Sequence, residues 1–178
     1  MYMKRFDKAL AIAGAAAMVA GVATAASAAD VKVRGVTKTE IVLGSNTDLS
    51  GPAASFGVAV TNALRLRFDE VNAAGGIFGR KIRLVVEDNQ YQVPKAVQAA
   101  NKLINRDDIF AMISQLGTPM NNAILPAQLK ANVPNLFPIT SARSMYQPLD
   151  HMKFALAASY YDQMRAAMKW LIETKHRK

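Results

Sequence analysis

No cysteine occurs among the 178 residues. That absence excludes disulfides, thiolate metal sites and a lipid-anchoring cysteine behind a leader segment. Histidine is almost as scarce. Only His151 and His176 are present, and neither neighbours a nucleophile motif. No GxSxG, HExxH or phosphate-loop pattern occurs. "GGIFGR" (75–80) precedes a strand-like run, whereas a dinucleotide fingerprint follows a strand and opens a helix. Glu87 and Asp88 are adjacent on one strand, so their side chains point to opposite faces and cannot act as an acid–base pair. The sequence therefore points away from an enzyme and calls for no cofactor and no metal. Acidic residues are also few, 13 against 22 Lys and Arg, for a net charge of +9. The basic residues are scattered, with one dense run at "KHRK" (175–178). Such scatter favours solubility and a weak pull on anions, not nucleic-acid binding.

Long apolar runs are confined to the amino terminus. Lys4, Arg5 and Lys8 precede an Ala-rich stretch from Ala9 to Ala26, and Ala26-Ser27-Ala28 forms a small-x-small site. Residues 1–28 read as a secretory signal peptide. The stretch holds little of the Leu, Ile and Phe that a stable membrane anchor needs. Cleavage near Ala28-Ala29 leaves a periplasmic chain of about 150 residues, enough for one domain with a real core.

In that remainder, strand-like runs alternate with helical patterns. "EIVLGSN" (40–46), "RKIRLVVED" (80–88), "IFAMISQ" (109–115) and "VPNLFPI" (133–139) read as strands, and "KFALAA" (153–158) as a fifth. The prolines at 134 and 138 place the fourth near an edge or shorten it. Between the first two, Val60, Leu64, Phe68 and Val71 share one helical face, and Gly75-Gly76 stops the helix. Pro94 opens a second helix with Val97, Ala100 and Ile104 inward. A third runs from Pro119 to Ala131, with Pro126 inside it as a source of a kink. Tyr161 to Thr174 is helical, with Met164, Met168, Leu171 and Ile172 on one side. This alternation predicts an α/β fold, an open doubly wound, mainly parallel sheet.

In such a sheet, ligands bind beyond the carboxyl ends of the strands. Three turns fall there: "TDLSGPAASFG" (47–57), "QLGTPMNNA" (115–123) and "FPITSARS" (137–144). Helix amino termini offer unpaired amides and a partial positive charge. Thr118-Pro119 fits a helix N-cap followed by its first residue, and Thr140-Ser141 adds two hydroxyls. Ordinary capping explains any one turn. Three on one sheet edge suggest a shared pocket that holds a small anion with neutral donors. Tyr160-Tyr161 either wall that pocket or pack.

Three segments together resemble a known family. "IVLGSNTDLSGPAASFG", "FDEVNAAGGIFGRKIRLVVEDNQYQVPKAVQAANKLI" and "GTPMNNAILPAQLKANVPNLFPITSA" look like the amino-terminal lobe of the periplasmic leucine/isoleucine/valine-binding family, over residues 38–172. The resemblance implies a solute receptor of an ABC importer, closing two lobes on its ligand before meeting a membrane permease. It implies a periplasmic-binding-protein-like ligand-binding lobe at 29–158, and at 159–178 a helix leading toward a second lobe that the chain stops short of. By position it implies ligand contacts at Phe56, Gly117, Thr118, Ile139, Thr140, Ser141 and Tyr161. The expected ligand is a hydrophobic or branched-chain amino acid or a related carboxylate. In the strand-three loop, "LGTP" stands where the amino-acid receptors carry a serine-rich stretch, and looks more like receptors for aromatic or other hydrophobic carboxylates. An exported sensing domain that signals to a partner is the alternative.

Overall fold

The computed structural model describes residues 32–175. The signal peptide expected at 1–28 lies outside the described residues, as does His176. Among the described residues no helix is long and apolar enough to cross a membrane.

Five strands form one sheet: β1 (Glu40–Thr47), β2 (Lys81–Asp88), β3 (Ala111–Ile113), β4 (Asn135–Leu136) and β5 (Lys153–Phe154). Their order is β2-β1-β3-β4-β5, and every pairing is parallel. The longest ladder joins β1 to β2, from Glu40 opposite Lys81 to Thr47 opposite Asp88. The helices are α1 (Ala54–Ala73), α2 (Val93–Asn105), α3 (Thr118–Lys130) and α4 (Tyr160–Lys175). The chain moves outward from β1 to β2, then crosses back to β3, so the switch in strand order lies between β1 and β3.

The two sheet faces have separate cores. On one, Val42 and Met112 meet Ala96, Ala100, Leu103 and Ile104 of α2 and Met120 and Ile124 of α3. On the other, Leu43, Ala111 and Ile113 meet Leu64 and Phe68 of α1. Strand alternation sorts the residues: Val85 joins the first core, Ile82 and Leu84 the second. The same alternation separates the two carboxylates of β2. Glu87 pairs with Lys102 on α2, while Asp88 turns to the loop after β1. Leu103 and Ile109 are fully buried, and each burial contributes about 1.5–3 kcal/mol. The doubly wound architecture expected from the sequence is the one observed.

Three local expectations need correction, the first being the inward face of α2: Val97 is exposed, and Ala96, Ala99, Ala100, Leu103 and Ile104 are the residues buried. Of the two readings of the fourth strand, shortening is the one observed: it keeps two residues, and β3 and β5 flank it. Prolines at 134 and 138 supply no amide to the ladder, and Phe137 takes a left-handed φ of 50°. The fifth strand also shrinks, to Lys153–Phe154. Thr118 is not the cap of α3. Gly117 holds that place, and no side-chain cap bond forms there.

Candidate functional site

The turn after β1 is built around a buried carboxylate. Asp48 has no exposed surface. Its Oδ1 accepts the amides of Ser50 at 3.3 Å and Gly51 at 2.6 Å, and its Oδ2 accepts that of Ala53 at 2.7 Å. Asp88 accepts the Leu49 amide at 2.9 Å, the Ser50 hydroxyl at 2.6 Å and the Gln90 amide at 3.0 Å. Burial works to raise the Asp88 pKa. The Ser50 hydroxyl, the two amides and the charge of Lys95 outweigh it and hold the carboxyl below its ordinary value. The amides of Ser50, Gly51 and Ala53 are therefore occupied internally. Phe56, in the first turn of α1, stands out into solvent at 65% exposure.

The turns after β3 and β4 are arranged differently. Gly117 has a φ of 93°, and a Cβ there would meet Met120 Cε at 2.1 Å and Tyr91 Cε2 at 2.9 Å. Only glycine combines that backbone with that contact. Its amide donates to the Ile139 carbonyl at 3.4 Å, and the Ile139 amide donates to the Gln115 carbonyl at 2.7 Å. Gly117 and Ile139 thus tie the two turns together through main-chain groups. That tie brings the side chains of Thr118 and Thr140 face to face, with their hydroxyls 2.5 Å apart. Thr140 is buried and Thr118 half-buried. The Ala142 amide donates to Thr140 Oγ1 at 3.2 Å.

The start of α4 closes on the same place. The Tyr160 amide donates to the Ser141 carbonyl at 3.0 Å, and its phenol lies 3.5 Å from Thr140 Oγ1. The Gln163 side-chain Nε2 donates to Ser141 Oγ at 3.2 Å. The Thr140 hydroxyl, then the Ser141 amide, then the Thr118 hydroxyl hold the Tyr160 phenol below its ordinary pKa, with burial opposing them. Tyr161, one residue on, is 70% exposed. Of the residues expected from the sequence, the structure brings together Gly117, Thr118, Ile139, Thr140 and Ser141. It leaves Phe56 and Tyr161 outside that cluster of contacts.

Several residues of this edge escaped sequence reasoning. Tyr91 sits against Gly117 and takes a φ of 57°, as Gln90 before it takes 51°. Left-handed residues here mark a turn held by its surroundings. Asn89 supplies that hold: its Oδ1 accepts the Tyr91 amide, and its Nδ2 donates to buried Asn46. Asn121 is fully buried and donates to the carbonyls of Gln115 at 3.1 Å and Gly117 at 2.8 Å. It draws both carbonyls toward α3. The only sequence signal for these roles is an unusual density of amide side chains next to apolar strands. Among the described residues no group of three or more His, Asp or Glu is placed to hold a metal ion.

Comparison with known proteins was consistent. A family model described as "Periplasmic binding protein" matches residues 40–178. A Leu/Ile/Val-binding protein of Rhizobium johnstonii is 37% identical over 65 residues, which are 36% of this chain and 18% of that protein. An amino acid binding protein of Pseudomonas aeruginosa is 35% identical over 74 residues, 42% of this chain and 20% of that one. Among solved structures, a fatty acid ABC transporter substrate-binding protein from Thermomonospora curvata superposes with a TM-score of 0.74 and 30% identity, covering 83% of this chain and 36% of that one. The branched-chain amino acid transporter substrate-binding protein of Streptococcus pneumoniae, in complex with isoleucine, gives a TM-score of 0.71 at 25% identity, over 78% of this chain and 39% of that one. The matched region spans well under half the length of each of these relatives.

Proposed function

This chain belongs to the family of periplasmic binding proteins, and from that premise we propose that it captures a small hydrophobic carboxylate, such as a branched-chain amino acid or a fatty acid, for an ABC importer. The observation that carries the reading is the juxtaposed hydroxyl pair of Thr118 and Thr140, 2.5 Å apart at the carboxyl ends of β3 and β4. Thr118 makes no side-chain cap bond to its helix, and its hydroxyl faces that of Thr140 instead. It opens α3, where the helix dipole favours negative charge.

In this mechanism the ligand carboxylate accepts from Thr118 Oγ1, Thr140 Oγ1 and the Ser141 main chain or hydroxyl. Gly117 and Ile139 hold the turns in register. Phe56, Tyr160 and Tyr161 supply exposed aromatic surface for the apolar part of the ligand. No bond is made or broken. Neutral donors hold the anion without a fixed countercharge, which leaves release to a permease easy. The ligands named for two relatives, isoleucine and fatty acid, share a carboxylate on an apolar body. That common chemistry supports the reading.

The test is a nitrogen–proton NMR titration of the chain with isoleucine, isoleucinamide and octanoate at millimolar concentration. Isoleucine or octanoate should move the amide signals of Thr118, Thr140 and Ser141. Isoleucinamide should move them less. Equal shifts with the amide, or none with any of the three, would refute carboxylate capture at this edge.

A further inference from the structure

Two consecutive residues of the loop after β2 take the left-handed region, Gln90 at a φ of 51° and Tyr91 at 57°. Neither is glycine, and residues with a side chain rarely adopt that backbone. Buried amides hold it there. Asn89 Oδ1 accepts the Tyr91 amide at 2.8 Å, and Asn89 Nδ2 donates to Asn46 Oδ1 at 2.8 Å. Asn46 Nδ2 donates in turn to the Ala96 carbonyl of α2 at 2.7 Å, and the Asn46 carbonyl accepts the Leu116 amide at 3.3 Å. The loop is thus pinned to β1, to α2 and to the end of β3. Strained backbone that its surroundings over-determine points to a function for the residue it carries.

That residue is Tyr91. β1 lies between β2 and β3 in the sheet, yet the Tyr91 ring reaches the turn after β3. The far end of the ring is what arrives there. Its Cε2 and Cζ stand 2.9 and 3.2 Å from the point that a Gly117 Cβ would occupy, and Met120 Cε closes on the same point. The absent Cβ leaves room for both side chains. Cζ carries the hydroxyl, so the phenol oxygen lies beside Gly117, whose next residue is Thr118. Among the described residues that hydroxyl makes no hydrogen bond, and Tyr91 is 39% exposed. The ring is fixed by its neighbours while its polar end is open to a ligand.

We infer that Tyr91 is a specificity-determining residue of the ligand site, its hydroxyl bonding a polar substituent on the carbon next to the ligand carboxylate. The inference rests on carboxylate capture at Thr118 and Thr140. A carboxylate held there keeps its adjacent carbon one bond away. Neighbouring Cα atoms are only about 3.8 Å apart, so a group beside Gly117 reaches that carbon and not the far end of the ligand. A phenol both donates and accepts. A hydroxyl, an oxo group or an ammonium on that carbon suits it, and a methylene does not. Of the two ligand chemistries named above, the 2-substituted acid pairs the phenol, and the plain fatty acid leaves it unpaired. A ring fixed in place cannot follow the substituent, so it also separates the two hands of a chiral acid.

Nitrogen–proton NMR titration of the chain with octanoate and with (R)- and (S)-2-hydroxyoctanoate tests this. One 2-hydroxy enantiomer should bind about threefold to tenfold more tightly than octanoate and than its mirror image, the range of one hydrogen bond. Tyr91→Phe keeps the ring and removes only the hydroxyl, and should bring both ratios close to unity. Two results would overturn the role of Tyr91 and leave carboxylate capture standing. In one, octanoate moves the Thr118, Thr140 and Ser141 signals but neither ratio departs from unity. In the other, the ratios persist in Tyr91→Phe. No movement of those signals with any of the three acids would overturn carboxylate capture and this inference with it.

Discussion

Gly57→Ala is a substitution for which helix propensity and tertiary packing predict opposite signs. Gly57 lies inside α1, and in an exposed helix interior alanine is favoured over glycine by about 0.5–1 kcal/mol. Here the residue is buried against the turn after β1. A Cβ would stand 1.8 Å from the Asp48 carbonyl oxygen and 2.8 Å from Thr47 Oγ1. Both neighbours are held. Asp48 is tied by the three amides its carboxylate accepts, and Thr47 ends the ladder with β2. The contact can relax only if α1 lifts from the sheet, which loosens Leu64 and Phe68 over the second core. Overpacking of this kind costs about 1–3 kcal/mol, which exceeds the propensity gain. We expect a net loss of about 1–2 kcal/mol, or roughly 3–8 °C in melting temperature for a domain of this size. Gly75→Ala is the comparison. Its Cβ would meet nothing within 4 Å, but its φ of 103° is strained for alanine, so it should lose about 1 kcal/mol through the backbone alone. Urea unfolding followed by circular dichroism measures both. A Gly57→Ala protein as stable as the parent would show that α1 does not approach β1 this closely.

The remaining predictions concern the site and the ends of the chain. Thr118→Ala and Ser141→Ala should each weaken binding of a carboxylate ligand by about 1–3 kcal/mol, measured by calorimetry, and cost less against the corresponding amide. Unchanged affinity in both would reduce these residues to structural roles. Asp88 has a depressed pKa in the folded chain, so its contribution to stability is full above the unfolded carboxylate value near 4 and is lost as pH falls through the lower folded value. Asp88→Asn should therefore flatten the acid limb of a stability–pH curve, and an unaltered limb would contradict the hydrogen bonds assigned to it. Mass spectrometry of exported protein should show a chain beginning at or near Ala29, and an intact Met1 in the membrane fraction would refute the leader reading.

Local pattern was enough for the layout. The period-two runs and the helical stripes of Leu64 and Phe68, or Ala100 and Ile104, each record which face meets a core. Parallel strands buried on both sides follow from apolar runs without a solvated face. The segments carrying Gly117, Thr118, Thr140 and Ser141 were legible because glycine, proline and hydroxyl residues mark the strand-to-helix turns where backbone donors gather. What the sequence could not supply was pairing across distance. The order β2-β1-β3-β4-β5 depends on contacts between residues far apart, which no local pattern encodes. Thr118 looked like a cap because Thr-Pro usually is one. Only the tie between Gly117 and Ile139 turns its hydroxyl toward Thr140. The turn at 47–57 read as one wall of a shared pocket, and only its fold around the Asp48 carboxylate occupies the amides of Ser50, Gly51 and Ala53. The choice between Tyr160 and Tyr161 was likewise tertiary. Successive helical residues point about 100° apart, so the way α4 docks on Ser141 sends one phenol to Thr140 and the other into solvent.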